Sequence, residues 1–164
     1  MGKINLVVEP GKQEFSYTRV FDAPPALVFK AYTDPDLLRR WLGPRRLKVT
    51  AIEMDVRPGG SWHFVHTDEQ GNDYGFHGVF HTVEAPARLI RTFEYEGVPG
   101  HVSLETAIFE DLGGKTRVTE HTVFQSIEDR DGMVNSGMEE GMADSEERLD
   151  ELLKAVQAGR APVR

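Results

Sequence analysis

Six segments of strand character follow one another in a single stretch, at residues 47–56, 61–67, 75–84, 88–95, 101–110 and 115–124. The links between them are short and rich in turn residues: Arg57-Pro58-Gly59-Gly60, Asp68–Asp73 with Gly71-Asn72, Ala85-Pro86-Ala87, Glu96–Gly100 and Asp111–Gly114. Parallel neighbours need a crossover of about a dozen residues or more, so these strands form an antiparallel run of hairpins. Such a sheet has one face to cover. From about Met133 to Val156, residues Met138, Met142, Leu149, Leu152 and Val156 recur at spacings of 4, 7, 3 and 4, the apolar stripe of a long helix. Glu139, Glu140, Glu146, Glu147 and Glu151 lie off that stripe and are expected on its solvated face.

The first part of the chain prepares this arrangement. Ile4–Val8 reads as a short strand before the Pro10-Gly11 break, and Phe15–Phe21 as a longer one. Asp22, followed by Pro24 and Pro25, signals a helix start; residues 25–33 read as a short helix. Asp34-Pro35 starts a second, which runs to about Trp41 and stops at Gly43-Pro44. The expected organisation is an N-terminal extension over 1–14, one domain over 15–157 and a flexible tail over 158–164. The fold class is α+β.

Composition narrows the function classes. The 164 residues include no cysteine, which excludes a disulfide scaffold and a cysteine zinc site. No apolar run of about 18 residues appears, so no membrane span is expected, and without a secretory leader the location is read as cytoplasmic. The formal charge is −8. Between Glu128 and Glu151 lie ten acids against two bases, and the rest of the chain balances at 17 of each. No basic field suited to nucleic acid is present. A local basic knot, Arg39, Arg40, Arg45, Arg46 and Lys48, is open to three readings: an anionic ligand or partner, the acidic helix of the same or another subunit, or ordinary surface charge.

Strand parity nominates an interior. In the third of the six strands Phe76, Gly78 and Phe80 share one face and His77 and His81 the other; the aromatic face is taken as inward. Trp62 and Phe64 follow, then Val102, Leu104, Thr106 and Ile108, with Val118 and Phe124 in the last strand. That register turns Glu120 and Thr122 inward as well. Glu120 is either a desolvated polar anchor or acid, or a carboxylate at a bulge, a shallow strand end or a partner base. It is the one catalytic candidate. Candidate ligand-binding residues are Trp41, Trp62, Phe64, Phe76, Phe80 and Leu104, together with Thr106, Val118, Glu120, Met138 and Met142. The histidines form no metal-ligand pattern, because His63 and His66 differ in parity and no His-Glu-x-x-His pair occurs, so no metal site is expected. No nucleophile elbow, phosphate loop or dinucleotide fingerprint is present, and no cofactor is expected.

Several motifs keep a common order and spacing: Arg19-Val20-Phe21-Asp22-Ala23-Pro24, Val28-Phe29-Lys30-Ala31-Tyr32-Thr33-Asp34-Pro35, Trp41-Leu42-Gly43-Pro44, Asp55-Val56-Arg57-Pro58-Gly59-Gly60, Gly78-Val79-Phe80, Pro86-Ala87-Arg88-Leu89 and Gly113-Gly114-Lys115-Thr116. Over residues 15–157 the chain resembles Hsp90-ATPase-activator-homologue (AHSA1-like) domains of the START/Bet v 1-like (SRPBCC) superfamily. The resemblance implies a helix-grip fold, a curved antiparallel sheet wrapped around the C-terminal helix. It also implies three functions: non-catalytic binding of a small hydrophobic or lipid-like molecule; a chaperone or stress-response partner activating an Hsp90-type ATPase; or an aromatase or cyclase-like enzyme. Monomer and homodimer are both compatible with it. Many members place Trp after the glycine of the last helix, whereas this chain reads Gly137-Met138-Glu139-Glu140-Gly141-Met142. Two glycines one turn apart within a helix would let a ligand or a sheet residue approach its backbone.

Overall fold

The computed structural model describes residues 4–160. Eight strands form one antiparallel sheet in the order β1-β2-β8-β7-β6-β5-β4-β3. These are β1 (Asn5–Val7), β2 (Glu14–Phe21), β3 (Lys48–Met54), β4 (Ser61–Thr67), β5 (Asp73–Glu84), β6 (Arg88–Tyr95), β7 (Val102–Asp111) and β8 (Thr116–Val123). Helices α1 (Pro25–Thr33) and α2 (Pro35–Leu38) connect β2 to β3; α3 (Ile127–Met133) and α4 (Glu139–Gln157) follow β8. Pro25 occupies the first turn of α1, where its missing N–H is harmless, and the Asp34 side chain caps α2 by accepting from the Asp36 amide at 2.9 Å. The second helix is shorter than its sequence pattern suggests. Most of the tail expected over 158–164 lies outside the described residues.

The hairpin run from β3 to β8 pairs locally, but β2 reaches across about a hundred residues to pair with β8, setting Tyr17 opposite Glu120. Alternation along β2 turns Phe15, Tyr17, Arg19 and Phe21 inward. Phe21 joins Val28, Leu37, Trp62, Phe80, Val118, Leu149 and Leu153 in the larger core cluster, each large apolar side chain contributing about 1.5–3 kcal/mol by its burial. A smaller cluster of Phe15, Tyr17 and Phe124 gathers Met133, Val134, Met138 and Met142 around it.

The C-terminal helix is not continuous. Ser126 caps α3 by accepting from the Asp129 amide at 3.0 Å, so the helix begins six residues before Met133. Buried Arg130 then donates to the carbonyls of Glu9 and Glu14 at 2.9 and 3.0 Å, holding the N-terminal segment against the helix. At Val134–Met138 the chain makes a wider π-type turn in which Gly137 adopts φ +87°, a left-handed conformation that side-chain-bearing residues avoid. Gly137 is thus a hinge and not a helix-interior residue. The apolar spacing missed this because Met138 and Met142 face the interior whether the segment is one helix or two.

Parity fails on β7. Ser103, Glu105, Ala107 and Phe109 face inward, while Leu104 (44% exposed), Thr106 and Ile108 lie on the outer face with Val102. Glu105 sits opposite Thr122 of β8 and Arg91 of β6, both of which face in. A one-residue error of register turns every side chain over, and β7 carries apolar residues on both faces, so alternation alone chose the wrong one. Glu146 is the second correction. Expected on the solvated face of α4, it is 3% exposed and packed inside.

Arg45, from the basic knot, meets the acidic helix of its own chain. Its backbone amide donates to Asp144 at 2.6 Å, and its guanidinium reaches Glu147 and Glu151 at 3.0 Å each. Arg148 of α4 returns the contact, donating to the carbonyls of Arg40 and Gly43 at 2.9 and 3.0 Å.

Candidate functional site

Between the concave face of the sheet and α4 lies a cavity of about 340 Å³. Phe64, Phe76, Phe80 and Phe93 line it from the sheet, Trp41 and Leu42 from the turns after α2, and Met138, Gly141 and Met142 from the helix. A Cβ built on Gly141 would meet nothing within 4 Å, so this glycine widens the space beside α4. A second hollow of about 610 Å³ shares Leu47, Phe76, Phe93, Ser103, Phe124 and Met133 with the first. It is flanked by the β6–β7 turn and α3, which the His101–Asp129 hydrogen bond of 2.8 Å joins.

The sequence candidates divide by this geometry. Trp41, Phe64, Phe76, Phe80, Glu120, Met138 and Met142 come together on the cavity wall. Trp62 is buried behind it: the indole donates to the Thr92 carbonyl at 3.2 Å and lies under the Arg91 guanidinium, 4.2 Å from the ring centre. Gly78 makes room for that indole, since a Cβ there would collide with Trp62 and the Thr92 carbonyl. Val118 is core away from the cavity. Leu104 and Thr106 point away from it.

Polar residues on the wall were mostly unexpected. Tyr17, Tyr32, His66, Arg91, Glu105 and Glu146 line the cavity beside Glu120, with Arg19 buried on the inward face of β2. Tyr17, Arg19 and Arg91 were readable from alternation, since each shares a face with inward aromatics of its own strand. For Glu146 the signal was the interval of seven in the helix stripe: Met142, Glu146 and Leu149 follow at 4 and 3, so the gap held a polar member of the buried face.

Electrostatics at this wall follow from burial. Burial pushes the Glu120 carboxyl up to about 7; the Glu105 charge adds to that, and the Tyr17 hydrogen bond and Arg91 oppose it. Burial raises Glu146 further, to about 8, reinforced by Glu120 and opposed by Arg19 and Tyr17. The Tyr17 and Tyr32 phenols rise as well, by burial and then by the nearby carboxylates. Burial and then Arg148 push His66 down to about 4, so its ring is neutral at ordinary pH. Arg91 pairs with Glu105 at 2.7 Å. Tyr17 donates to Glu120, whereas Glu146 Oε2, the Tyr32 hydroxyl, His66 Nδ1 and the Arg19 Nε donor are buried without a hydrogen-bond partner. Such atoms are costly to leave unpaired and are the natural anchors of a bound polar group. Two carboxyls that titrate near neutrality can also exchange protons with a bound molecule.

Among the described residues, no set of three or more acidic, histidine or cysteine side chains is arranged to hold a metal, and no helix is long and apolar enough to cross a membrane.

Comparison with known proteins agrees with this architecture. Solved proteins from Nitrosomonas europaea (27% identity, TM-score 0.82) and Rhodobacter sphaeroides (28%, TM-score 0.85) superpose over 92% of this chain and 99% and 98% of theirs. One from Arthrobacter aurescens, at 30% identity and TM-score 0.83, covers 92% of this chain and 91% of its own. All share the helix-grip fold. No curated protein matches the chain. Residues 22–154 match the family described as activator of Hsp90 ATPase homolog 1-like protein, and the chain belongs to that family.

Proposed function

We propose that this protein binds a small, mostly apolar molecule in the cavity between the sheet and α4. One observation carries the reading: the aromatic and methionine side chains that face each other there leave about 340 Å³ between them, with unpaired polar atoms on the wall. A cavity of about 300 Å³ or more, apolar with a few polar groups, has the character of a ligand site. Trp41 on the wall is a built-in reporter. Across a panel of hydrophobic ligands, a hit shifts Trp fluorescence and raises the melting temperature; a panel without either shift defeats the reading.

A second reading, acid–base chemistry of the aromatase or cyclase kind, draws on the convergence of Glu120 and Glu146 with raised pKa values. It requires turnover of a bound ligand that falls on Glu120→Gln. The family description supplies a further alternative, activation of an Hsp90-type ATPase, and unchanged ATPase turnover on titration with this protein rejects it.

A further inference from the structure

The polar end of the cavity holds more carboxyl groups than cations to match them. Glu105 is bonded to Arg91. That leaves Glu120 and Glu146; among the described residues the further buried guanidinium that acts on them is Arg19, whose Nε has no hydrogen-bond partner and whose charge matches one of the two carboxyls, and neither carboxyl forms an ion pair with any described residue. The titratable groups around them come from six elements, Tyr17 and Arg19 from β2, Tyr32 from α1, neutral His66 from β4, Arg91 from β6, Glu105 from β7 and Glu120 from β8, with Arg148 on α4 turned toward the α2 loop carbonyls and β5 and α3 adding apolar side chains alone. Tyr17 spends its proton on Glu120. Glu146 Oε2 and the Tyr32 oxygen are left as buried atoms able to accept hydrogen bonds, and both residues line the same space.

Resting on the binding function proposed above, we infer that the ligand is an amine: an apolar, aromatic-sized body carried by the phenylalanines and methionines, with one protonated nitrogen set against Glu146, Tyr32 and Glu120. An ammonium group brings several N–H donors and one positive charge, which matches two unpaired acceptors and one unmatched carboxyl. A hydroxyl offers a single donor and no charge. A carboxylate ligand would add a like charge to the carboxyls. The protons balance simply: the ammonium enters charged, the carboxyl that faces it gives up its proton to the buffer, and no covalent bond changes.

Calorimetric titration near neutral pH with four matched probes tests this: naphthylethylamine, naphthylethanol, ethylnaphthalene and naphthylacetate. The amine is expected to bind about tenfold or more tighter than the alcohol, and the carboxylate most weakly. Repeating the amine titration in buffers of different ionisation enthalpy should reveal proton release, and the amine-to-alcohol ratio should collapse in Glu146→Gln. If that variant does not fold, Glu120→Gln and the ratio in the unaltered protein decide the matter. Equal or tighter binding of the alcohol, hydrocarbon or carboxylate, or a ratio that survives both substitutions, overturns the amine assignment and leaves ligand binding standing. Failure of all four probes overturns both.

Discussion

Tyr17 of β2 donates its phenolic proton to the Glu120 carboxylate directly opposite it on β8. The bond closes the sheet between its first long strand and its last, and it lies on the cavity wall. Because it stabilises the charged carboxylate, it holds down a pKa that burial drives upward. Tyr17→Phe should therefore raise the Glu120 pKa above its present value of about 7. Carboxyl-carbon NMR titration measures this directly, and an unchanged or lower midpoint contradicts the role given to Tyr17.

Stability should depend on pH through the same wall. Glu120 and Glu146 have folded-state pKa values above the ordinary 4.5, so the folded protein holds protons that the unfolded chain has lost, and stability falls as pH rises from about 4.5 to 8. His66 acts in the opposite sense: its depressed value makes stability rise as pH climbs from about 4 to 6.5. Above about pH 6.5 His66 no longer opposes the carboxyls, and the Glu146 share of the loss to pH 8 is about 1–2 kcal/mol. Urea unfolding across that interval should show the decline, and Glu146→Gln should flatten it.

Gly78→Ala tests the packing behind the wall. The added methyl cannot fit beside the Trp62 indole and the Thr92 carbonyl without moving them. Overpacking of this kind costs about 1–3 kcal/mol. A matching fall in unfolding free energy, with a change in Trp fluorescence, is expected; wild-type stability would mean that the indole is free to move.

Gly137→Ala examines the hinge before α4. Nothing lies within 4 Å of the new Cβ, so the effect is confined to the backbone at φ +87°. A loss of about 1–2 kcal/mol follows from the left-handed conformation. Straightening of α3 and α4 into one helix would raise helical circular dichroism instead.

Arg45→Ala separates surface charge from the interior. Its side chain is largely solvated among Asp144, Glu147 and Glu151, so its removal should lower the melting temperature little, and less still at about 1 M salt. Affinity for any cavity ligand should be unaffected, as a binding assay will register.

The strand boundaries from β3 to β8 and the two short helices were legible in the sequence, because hydrophobic alternation, proline and glycine act over a few residues. The antiparallel sheet followed from the shortness of its links. Seven of the eleven residues nominated for the pocket do line it, drawn from the aromatic faces of β4 and β5, from β8, from the helix stripe and, for Trp41, from the turn after α2. Leu104 and Thr106 failed because the outer face of β7 is the more apolar of the two, and only pairing with Arg91 and Thr122 determines which side is inward. Glu146 failed because a carboxylate on a glutamate-rich helix is read as solvated, although it fills the seven-residue gap between Met142 and Leu149 in the apolar stripe. Which charges are taken out of water, and so which carboxyls hold their protons near neutrality, is a property of the space enclosed when β2 meets β8 and α4 closes over them. Local residue preferences determined the elements and their order; desolvation, which exists only once distant segments meet, decided the chemistry of the cavity.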